Sequence, residues 1–487
     1  MPMPQPFARL AALAAQWRWW VALGTLSSLG LVLCSSAIAS KPEPASFHWW
    51  LRLPATSYGT AHVVFYLCMA GLTISWLGVG ALAAVGELSL RRALSVFGTW
   101  ATPLFLGVPL FSRDLYSYVA QSEIASRGLN PYRVAPDSVL HGPALTSIAS
   151  VWHHTTSPYG PLFVQFSRLL VKLTGNSYTA QILVLRAAEL PGIVLLVVAV
   201  VLLTRRLATD SGIALWLVLL SPAALVTEVA SAHNDTLMLG LMLLGVAIYP
   251  RYARWGLVLV GLAACIKISA LVVLVFLVAG ALGQLTTRAR VRAIAEVVAI
   301  PASVIVILTQ ISGYGWTWLS PSTLKIPTEL RILITPVVSL GTLLASMLHA
   351  VGLHVPTSLV ITVTQEVSEL AAVLFVLWLV RHTKVTNTVT MIGAALLIIV
   401  VASPVVWPWY CFWGLSALAV TSMQRSKFLA LLAAGTPLLV GAGGTMMIGG
   451  NGFYVVGPLI IGALIWFFMS HGPRRILERV DQLTHAD

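Results

Sequence analysis

Charge is what this chain has least of. Only 9% of its 487 residues are Asp, Glu, Lys or Arg, where a soluble globular protein carries about 25%. Acids are the scarcer sign, 16 against 29 Lys and Arg. That composition excludes a soluble globular chain. Cysteine is rare too: Cys34, Cys68, Cys265 and Cys411 stand singly, in apolar runs or at their edges. None has metal-ligand spacing, so they read as small core residues. Cytoplasmic segments carry no Gly-rich phosphate loop of the P-loop or dinucleotide type. No stretch is long and polar enough to be a separate soluble domain, so residues 1–487 read as one membrane-embedded domain. No internal repeat is visible, whereas a transporter or lipid flippase would show pseudo-symmetric halves with matching interrupted helices.

What is present is apolar sequence. Hydrophobic residues make up 58% of the chain, and mean hydropathy is +0.89. Apolar runs of about 16 to 24 residues recur from end to end, and about 20 suffice to span a bilayer. The expected fold is an all-α polytopic membrane protein with about 13–14 transmembrane helices. The spans fall near 19–38, 62–85, 92–110, 181–203, 211–228, 235–250, 254–266, 269–284, 293–312, 357–380, 387–402, 408–423, 428–443 and 453–470. The net charge of +13 does not call for nucleic acid. Its basic residues cluster between apolar runs, as the positive-inside rule expects of cytoplasmic loops. Arg91-Arg92, Arg205-Arg206, Arg288 to Arg292, and Arg381 with Lys384 are examples. Their alternation predicts a multi-pass plasma-membrane protein with both termini cytoplasmic. Ala37-Ile38-Ala39 resembles a signal-peptidase site. The preceding run is long for a signal segment and reads as a retained helix; either way Lys41 lies outside. Residues 333–350 are apolar enough to span, but counting them would place Arg381 and Lys384 outside. They are expected as a re-entrant or interfacial helix. Two large extracytoplasmic segments follow, 111–178 and 313–356. Short outer turns hold His233-Asn234-Asp235, Lys267, and Ser403 through Tyr410.

Arg113-Asp114-Leu115-Tyr116-Ser117-Tyr118 opens the first large segment at the exit of a span. An acid at membrane depth is costly and tends to mark function. The spacing predicts a helix over 114–126, with Asp114, Tyr118 and Gln121 sharing a face. Gly128 fits a C-terminal cap, and Asn130-Pro131 begins a turn. Ser157-Pro158-Tyr159-Gly160-Pro161 reads as a rigid turn before a second amphipathic run. Asp114 alone also fits a first-turn acid favoured by the helix dipole, or a surface partner of Arg113.

Residues 113–121 (Arg-Asp-Leu-Tyr-Ser-Tyr-Val-Ala-Gln), 128–132 (Gly-Leu-Asn-Pro-Tyr) and 157–163 (Ser-Pro-Tyr-Gly-Pro-Leu-Phe) carry a resemblance. So do His-Asn-Asp (233–235), Ala-Cys-Ile-Lys (264–267) and Ser-Pro-Val-Val-Trp-Pro-Trp-Tyr (403–410). From about 90 to 415 the chain resembles the polyprenyl-phosphomannose-dependent α-1,6-mannosyltransferases of actinobacterial cell envelopes. The resemblance implies a GT-C fold and a lipid-linked mannose donor. It also implies an inverting displacement onto the 6-hydroxyl of a mannan acceptor, within lipomannan and lipoarabinomannan synthesis.

The residues fit such chemistry. Outside the membrane there are no nucleotide sugars, so the donor must arrive within the bilayer. Asp114 is the expected general base toward the acceptor hydroxyl. A cation must stabilise the departing phosphate, and Lys267, dividing an apolar stretch into two short runs, is the best candidate. A lysine snorkelling to the headgroups and a single tilted helix across 255–284 are the alternatives. Glu123, nine residues past Asp114, lies roughly 13 Å away along a helix. That is too far for a tight dyad, and it is assigned to acceptor binding or to an exposed loop acid. His233, Asn234 and Asp235 open a helix; they bind a sugar hydroxyl or orient Lys267, or Asn234 is a simple N-cap. Lys325 and Arg331 are candidates for the donor phosphate or acceptor headgroup. Arg113, Tyr116, Tyr118, Tyr132, Tyr159, Trp407 and Tyr410 complete the expected substrate surface, although Trp407, Trp409 and Tyr410 also suit an interfacial aromatic belt. Adjacent His153 and His154 do not converge on one ion from a helix, and no metal or other cofactor is expected. Transfer of arabinofuranose or glucose from a similar lipid is the nearest rival reading.

Overall fold

The computed structural model describes residues 14–38, 49, 57–282, 286–320, 323 and 335–443. Regular structure among them is helical. The chain opens with three packed helices, α1 (Trp17–Ile38), α2 (Tyr58–Ala84) and α3 (Leu90–Leu106). Ser57 and Ser89 start α2 and α3, each accepting from the N–H three residues on, the expected N-cap bond. Two loop helices follow, α4 (Asp114–Ser126) and α5 (Pro161–Leu173). Then come α6 (Tyr178–Ala187), α7 (Leu190–Arg206) and α8 (Ser211–Val218). The second half holds α9 (Asp235–Ile248), α10 (Ala253–Ala264), α11 (Val272–Leu282) and α12 (Thr287–Ser312). It continues with α13 (Pro336–Ala350), α14 (Thr357–Arg381), α15 (Thr388–Ala402), α16 (Cys411–Leu418) and α17 (Lys427–Gly435).

The helices are less uniform than the expected 13–14 spans. Among the described residues four are long and apolar enough to cross a membrane: Tyr58–Ala84, Tyr178–Arg206, Thr287–Ser312 and Thr357–Arg381. A fifth is the pair Ala224–Ala230 and Asp235–Ile248, bent by 111°. Ala253–Ala264, Ile268–Leu282, Pro336–Ala350 and Thr388–Ala402 are apolar but only 10–17 residues long, short of a full span at 1.5 Å per residue. The expected single span at 211–228 is two pieces, α8 and a π-helical turn over Ala224–Ala230. Pro222 lies in the break; it has no N–H to continue the ladder, and Ser221 caps the new turn through Ala224 N. The expected span at 408–423 shrinks to α16 between two 3-10 turns. That expected at 428–443 is α-helical only as far as Gly435 and continues as a 3-10 turn over Thr436–Leu439. The span expected at 453–470 lies outside the described residues. Of the stretch 333–350, expected as a re-entrant or interfacial helix, Pro336–Ala350 are helical and pack on α14. The architecture is all-α and polytopic, as a GT-C transferase requires.

Side chains and small residues lock these pieces together. Trp76 and Trp216 stack at 4.3 Å and exchange hydrogen bonds, each indole N–H meeting the other's carbonyl at 3.0 and 2.7 Å. This joins α2 to α8. Gly192 on α7 faces Gly240 on α9, and Gly245 on α9 faces Gly256 on α10; a Cβ at any of them would meet the opposing backbone. Close backbone approach through small residues is how helices associate without a hydrophobic drive between them.

One glycine is decisive. Gly160 N–H donates to Ile266 O at 2.9 Å, and Leu162 N–H to Cys265 O at 3.0 Å. The turn before α5 is thereby stitched to the break after α10. A Cβ on Gly160 would collide with the Cys265 carbonyl. Gly160→Ala should destabilise the protein by about 1–3 kcal/mol, the range for overpacking a tight site. Thermal unfolding in detergent checks this against Gly59→Ala, whose Cβ meets nothing within 4 Å. Equal melting temperatures for the two variants would contradict the stitching.

Candidate functional site

Three chain breaks meet at one place. The first follows α3. Arg186, 1% exposed, donates to the carbonyls of Phe105 (2.7 Å), Gly107 (2.6 Å) and Ala230 (2.9 Å). It thus ties the end of α3 to the end of the π-helical turn. Ser231 Oγ donates to Leu110 O, and Leu110 N–H to Ala230 O. Residues 107–112 and 230–234 are therefore held side by side. Phe111 (φ 66°) and Ala232 (φ 56°) adopt left-handed backbone without being glycine, a strain of about 1–3 kcal/mol each that packing must sustain. After Phe111 the chain enters α4, with Asp114 in its first turn and its N–H bonded to Ser112 Oγ. Arg113 occupies the N-cap position. Gly128 (φ 77°) ends α4 as expected, with Gly128 N–H bonded to Ala125 O and Leu129 N–H to Ile124 O, a Schellman pattern.

The second break precedes α9, and His233, Asn234 and Asp235 are each 0% exposed. Asn234 stands at the N-cap position without capping. It meets Tyr118 instead, its N–H donating to the phenol oxygen at 3.3 Å and its Oδ1 accepting from the phenol O–H at 3.5 Å. His233 Nε2 lies 3.7 Å from Asp114 Oδ2.

The third break lies between α10 and the 3-10 turn Ile268–Leu271, where Lys267 is extended (φ −139°, ψ 124°). No single helix runs across 255–284. Lys267 does not snorkel: its side chain is 12% exposed, and Nζ lies 2.7 Å from Asp235 Oδ2. Trp413 Nε1 donates to the other carboxylate oxygen at 2.5 Å. The ammonium faces the rings of Tyr410 (4.9 Å), Trp413 (5.7 Å) and Tyr159 (5.9 Å), each within cation–π reach. Tyr159 is delivered by the stitched turn. Ser157 supports it, with Ser157 Oγ donating to Gln121 Oε1 on α4 at 2.9 Å.

Asp114, His233, Asn234, Asp235, Tyr118, Tyr159, Lys267 and Tyr410 therefore form one cluster. Burial pushes the Asp114 carboxyl from its ordinary value up to about 6, aided by the Asp235 charge and opposed by Lys267 and a hydrogen bond from Trp152. With Asp114 ionised, Asp114, Asp235 and Lys267 sum to one negative charge.

Other expected residues face elsewhere. Tyr116 sits two residues past Asp114, about 200° around the helix, and stacks with Tyr178 at 6.4 Å. Glu123 pairs with Arg127 at 3.7 Å. Tyr132 packs edge-on to Tyr314 at 5.9 Å. His154, set aside as a metal ligand from the sequence, lies 2.5 Å from Asp137 through Nδ1. Lys325 and Arg331 lie outside the described residues. Trp407 and Trp409 are no simple interfacial belt: Trp409 is buried and stacks on His233 at 4.1 Å, with Trp407 stacked behind it at 4.9 Å. Three groups escaped the sequence reading: Trp152 on Asp114, Trp413 on Asp235, and Thr227, whose carbonyl lies 2.7 Å from His233 Nδ1. The recurrence of tryptophan at 409 and 413, one helical turn apart, was the available signal for Trp413.

Comparison with known proteins identifies the family. A family model described as alpha-(1->6)-mannopyranosyltransferase, N-terminal domain, matches residues 21–283, and one described as MptB C-terminal domain matches residues 335–470. The chain is 30% identical over 406 residues to alpha-(1->6)-mannopyranosyltransferase A of Mycobacterium tuberculosis, covering 80% of this chain and 77% of the relative. A second mannopyranosyltransferase of that organism is 32% identical over 405 residues, covering 70% and 67%. Alpha-(1->6)-mannopyranosyltransferase B of Corynebacterium glutamicum is 24% identical over 461 residues, covering 86% and 75%. No solved structure matches significantly. The first family model covers more than half of the chain and contains Asp114, His233, Asp235 and Lys267; this chain belongs to the alpha-(1->6)-mannopyranosyltransferase family of membrane-embedded mannosyltransferases.

Proposed function

We propose that the protein moves mannose from polyprenyl-phosphate-mannose to the 6-hydroxyl of a mannan or lipomannan acceptor, forming α-1,6 linkages on the extracytoplasmic side. One observation carries this reading. A carboxylate at a loop-helix start and an ammonium at a membrane-helix break meet around His233 and Asp235. Family membership supports mannose over arabinofuranose or glucose, and an enzyme over a transporter. The excess of Lys and Arg in the loops opposite the site supports its extracytoplasmic placement and cytoplasmic termini.

In this reading Asp114 accepts the proton of the acceptor hydroxyl as its oxygen attacks the anomeric carbon. The bond to phosphate breaks in the same displacement, which inverts a β-linked donor to an α-linked product. Lys267 stabilises the leaving phosphate, while Asp235 and Trp413 fix its position. Tyr159, Tyr410 and Trp407 supply aromatic surface for sugar and lipid. Because the described cluster carries net negative charge, the phosphate calls for a further cation. Arg113, beside Asp114, is one candidate; Lys325 and Arg331 are the others. The chemistry needs no metal or organic cofactor.

Membranes supplied with polyprenyl-phosphomannose and a short α-1,6-mannoside test the assignment. Asp114→Asn should cut kcat by about 10²–10⁴, the contribution of a positioned base; a rate near wild type would remove Asp114 from that role. The pH profile follows from the direction of its shift. The base works ionised, and its carboxyl is raised to about 6. Activity should therefore fall as pH drops through about 6, not near 4. A flat profile down to pH 4.5 would contradict it. Lys267→Ala should lower kcat/KM for the donor by about 10²–10³, the scale of losing one transition-state donor, with Lys267→Arg retaining part of it. Equal donor kinetics in correctly folded Lys267→Ala would sink the phosphate role.

A further inference from the structure

We propose that His233 is a second proton-handling residue: Asp114 takes the acceptor proton and passes it to His233 Nε2. The inference rests on the reading of Asp114 as base and deepens it.

The tautomer is readable from the contacts. His233 Nδ1 lies 2.7 Å from the Thr227 carbonyl, which only accepts. Nδ1 therefore carries the hydrogen, and in the neutral ring Nε2 holds a lone pair. That carbonyl is available because of the π-helical register. Ser231 N–H bonds Val226 O, five residues back, where an α-helix would have used Thr227 O.

Nε2 is a buried acceptor with no hydrogen-bond partner among the described residues, and it faces Asp114 Oδ2 at 3.7 Å. Two acceptors turned toward each other are waiting for a proton between them. The ring cannot turn away: Trp409 stacks on it with an interplanar angle of 20°, and Trp407 backs Trp409. Asp235 and Lys267 are the other charged groups acting on it, and their mutual ion pair leaves Asp114 as the proton source.

The step balances. The acceptor O–H breaks as its oxygen bonds the anomeric carbon, and the glycosidic electron pair leaves on the polyprenyl phosphate. The hydroxyl proton goes to Asp114, then to Nε2. Burial holds the His233 imidazole below its ordinary value, so the imidazolium is transient: it releases its proton to water or to the departing phosphate and leaves the carboxylate free. His233 thus offers the proton an exit from Asp114 before the next acceptor binds.

Two variants separate this role from packing. His233→Asn keeps a donor for the Thr227 carbonyl but lacks Nε2. Its kcat should fall about 100-fold, the lower range for a positioned proton acceptor, with donor and acceptor KM little changed. His233→Ala should regain turnover when imidazole is added, and the regain should grow with the pKa across a series of substituted imidazoles. Wild-type kcat in His233→Asn, with Asp114→Asn inactive, would overturn the relay and leave Asp114 as base. Rescue indifferent to imidazole pKa would reduce His233 to a spacer and also overturn it. Wild-type turnover in Asp114→Asn would remove the base reading itself, and the relay with it.

Discussion

A backbone group at membrane depth must find a partner inside the protein, and the site is built from the places where helices break that rule locally. The breaks at 231–234 and 265–267 expose N–H and C=O groups that no single helix can satisfy. Several are satisfied by another part of the chain. Arg186 collects carbonyls from the end of α3 and the end of the π-helical turn. The Gly160 turn returns the carbonyls of Cys265 and Ile266 to a backbone partner. These bonds fix where Asp114, His233, Asp235, Tyr159 and Lys267 stand. The chemistry follows from how the backbone was repaired.

The buried ion pair at the centre follows the same logic. Lys267 and Asp235 are paired at 2.7 Å, and Asp235 uses its second oxygen on Trp413. Removing one partner of such a pair leaves an unmatched buried charge, so the pair fixes the register of α9 against the break after α10. It also holds the ammonium in an aromatic cage instead of releasing it to solvent. In the proposed reaction, a compact cation kept in place before substrate arrives needs little reorganisation as the leaving phosphate gains charge, which is the advantage of a preorganised site.

Much of this was legible in the sequence, unevenly. The helix from 114, its Gly128 end, the rigid turn at 157–161 and the interruption at Lys267 each carry a local signal: an acid in a first turn, a glycine past a helix, a Pro-Gly-Pro cluster, a lysine in apolar sequence. Tyr118 was placed with Asp114 by helical period alone, and the same period turns Tyr116 away. The break at 219–223 was hidden because averaged hydropathy does not register one proline. Convergence itself was not legible. Nothing local says that α4 meets the segment before α9, because Arg186 makes that link from a third helix. The π-helical register that frees the Thr227 carbonyl, and the indoles of Trp152 and Trp413, depend on tertiary contacts as well.

In the proposed reaction these repaired breaks hold a base and a cation on opposite sides of one lipid-borne sugar. A structure of the full chain with a non-transferable polyprenyl-phosphate-mannose analogue tests it most directly. The expected result is a phosphate oxygen within about 4 Å of Lys267 Nζ, ion-pair distance, with the anomeric carbon presented between that phosphate and an acceptor hydroxyl position at Asp114. A phosphate bound away from Lys267, with the sugar out of reach of Asp114, would contradict it.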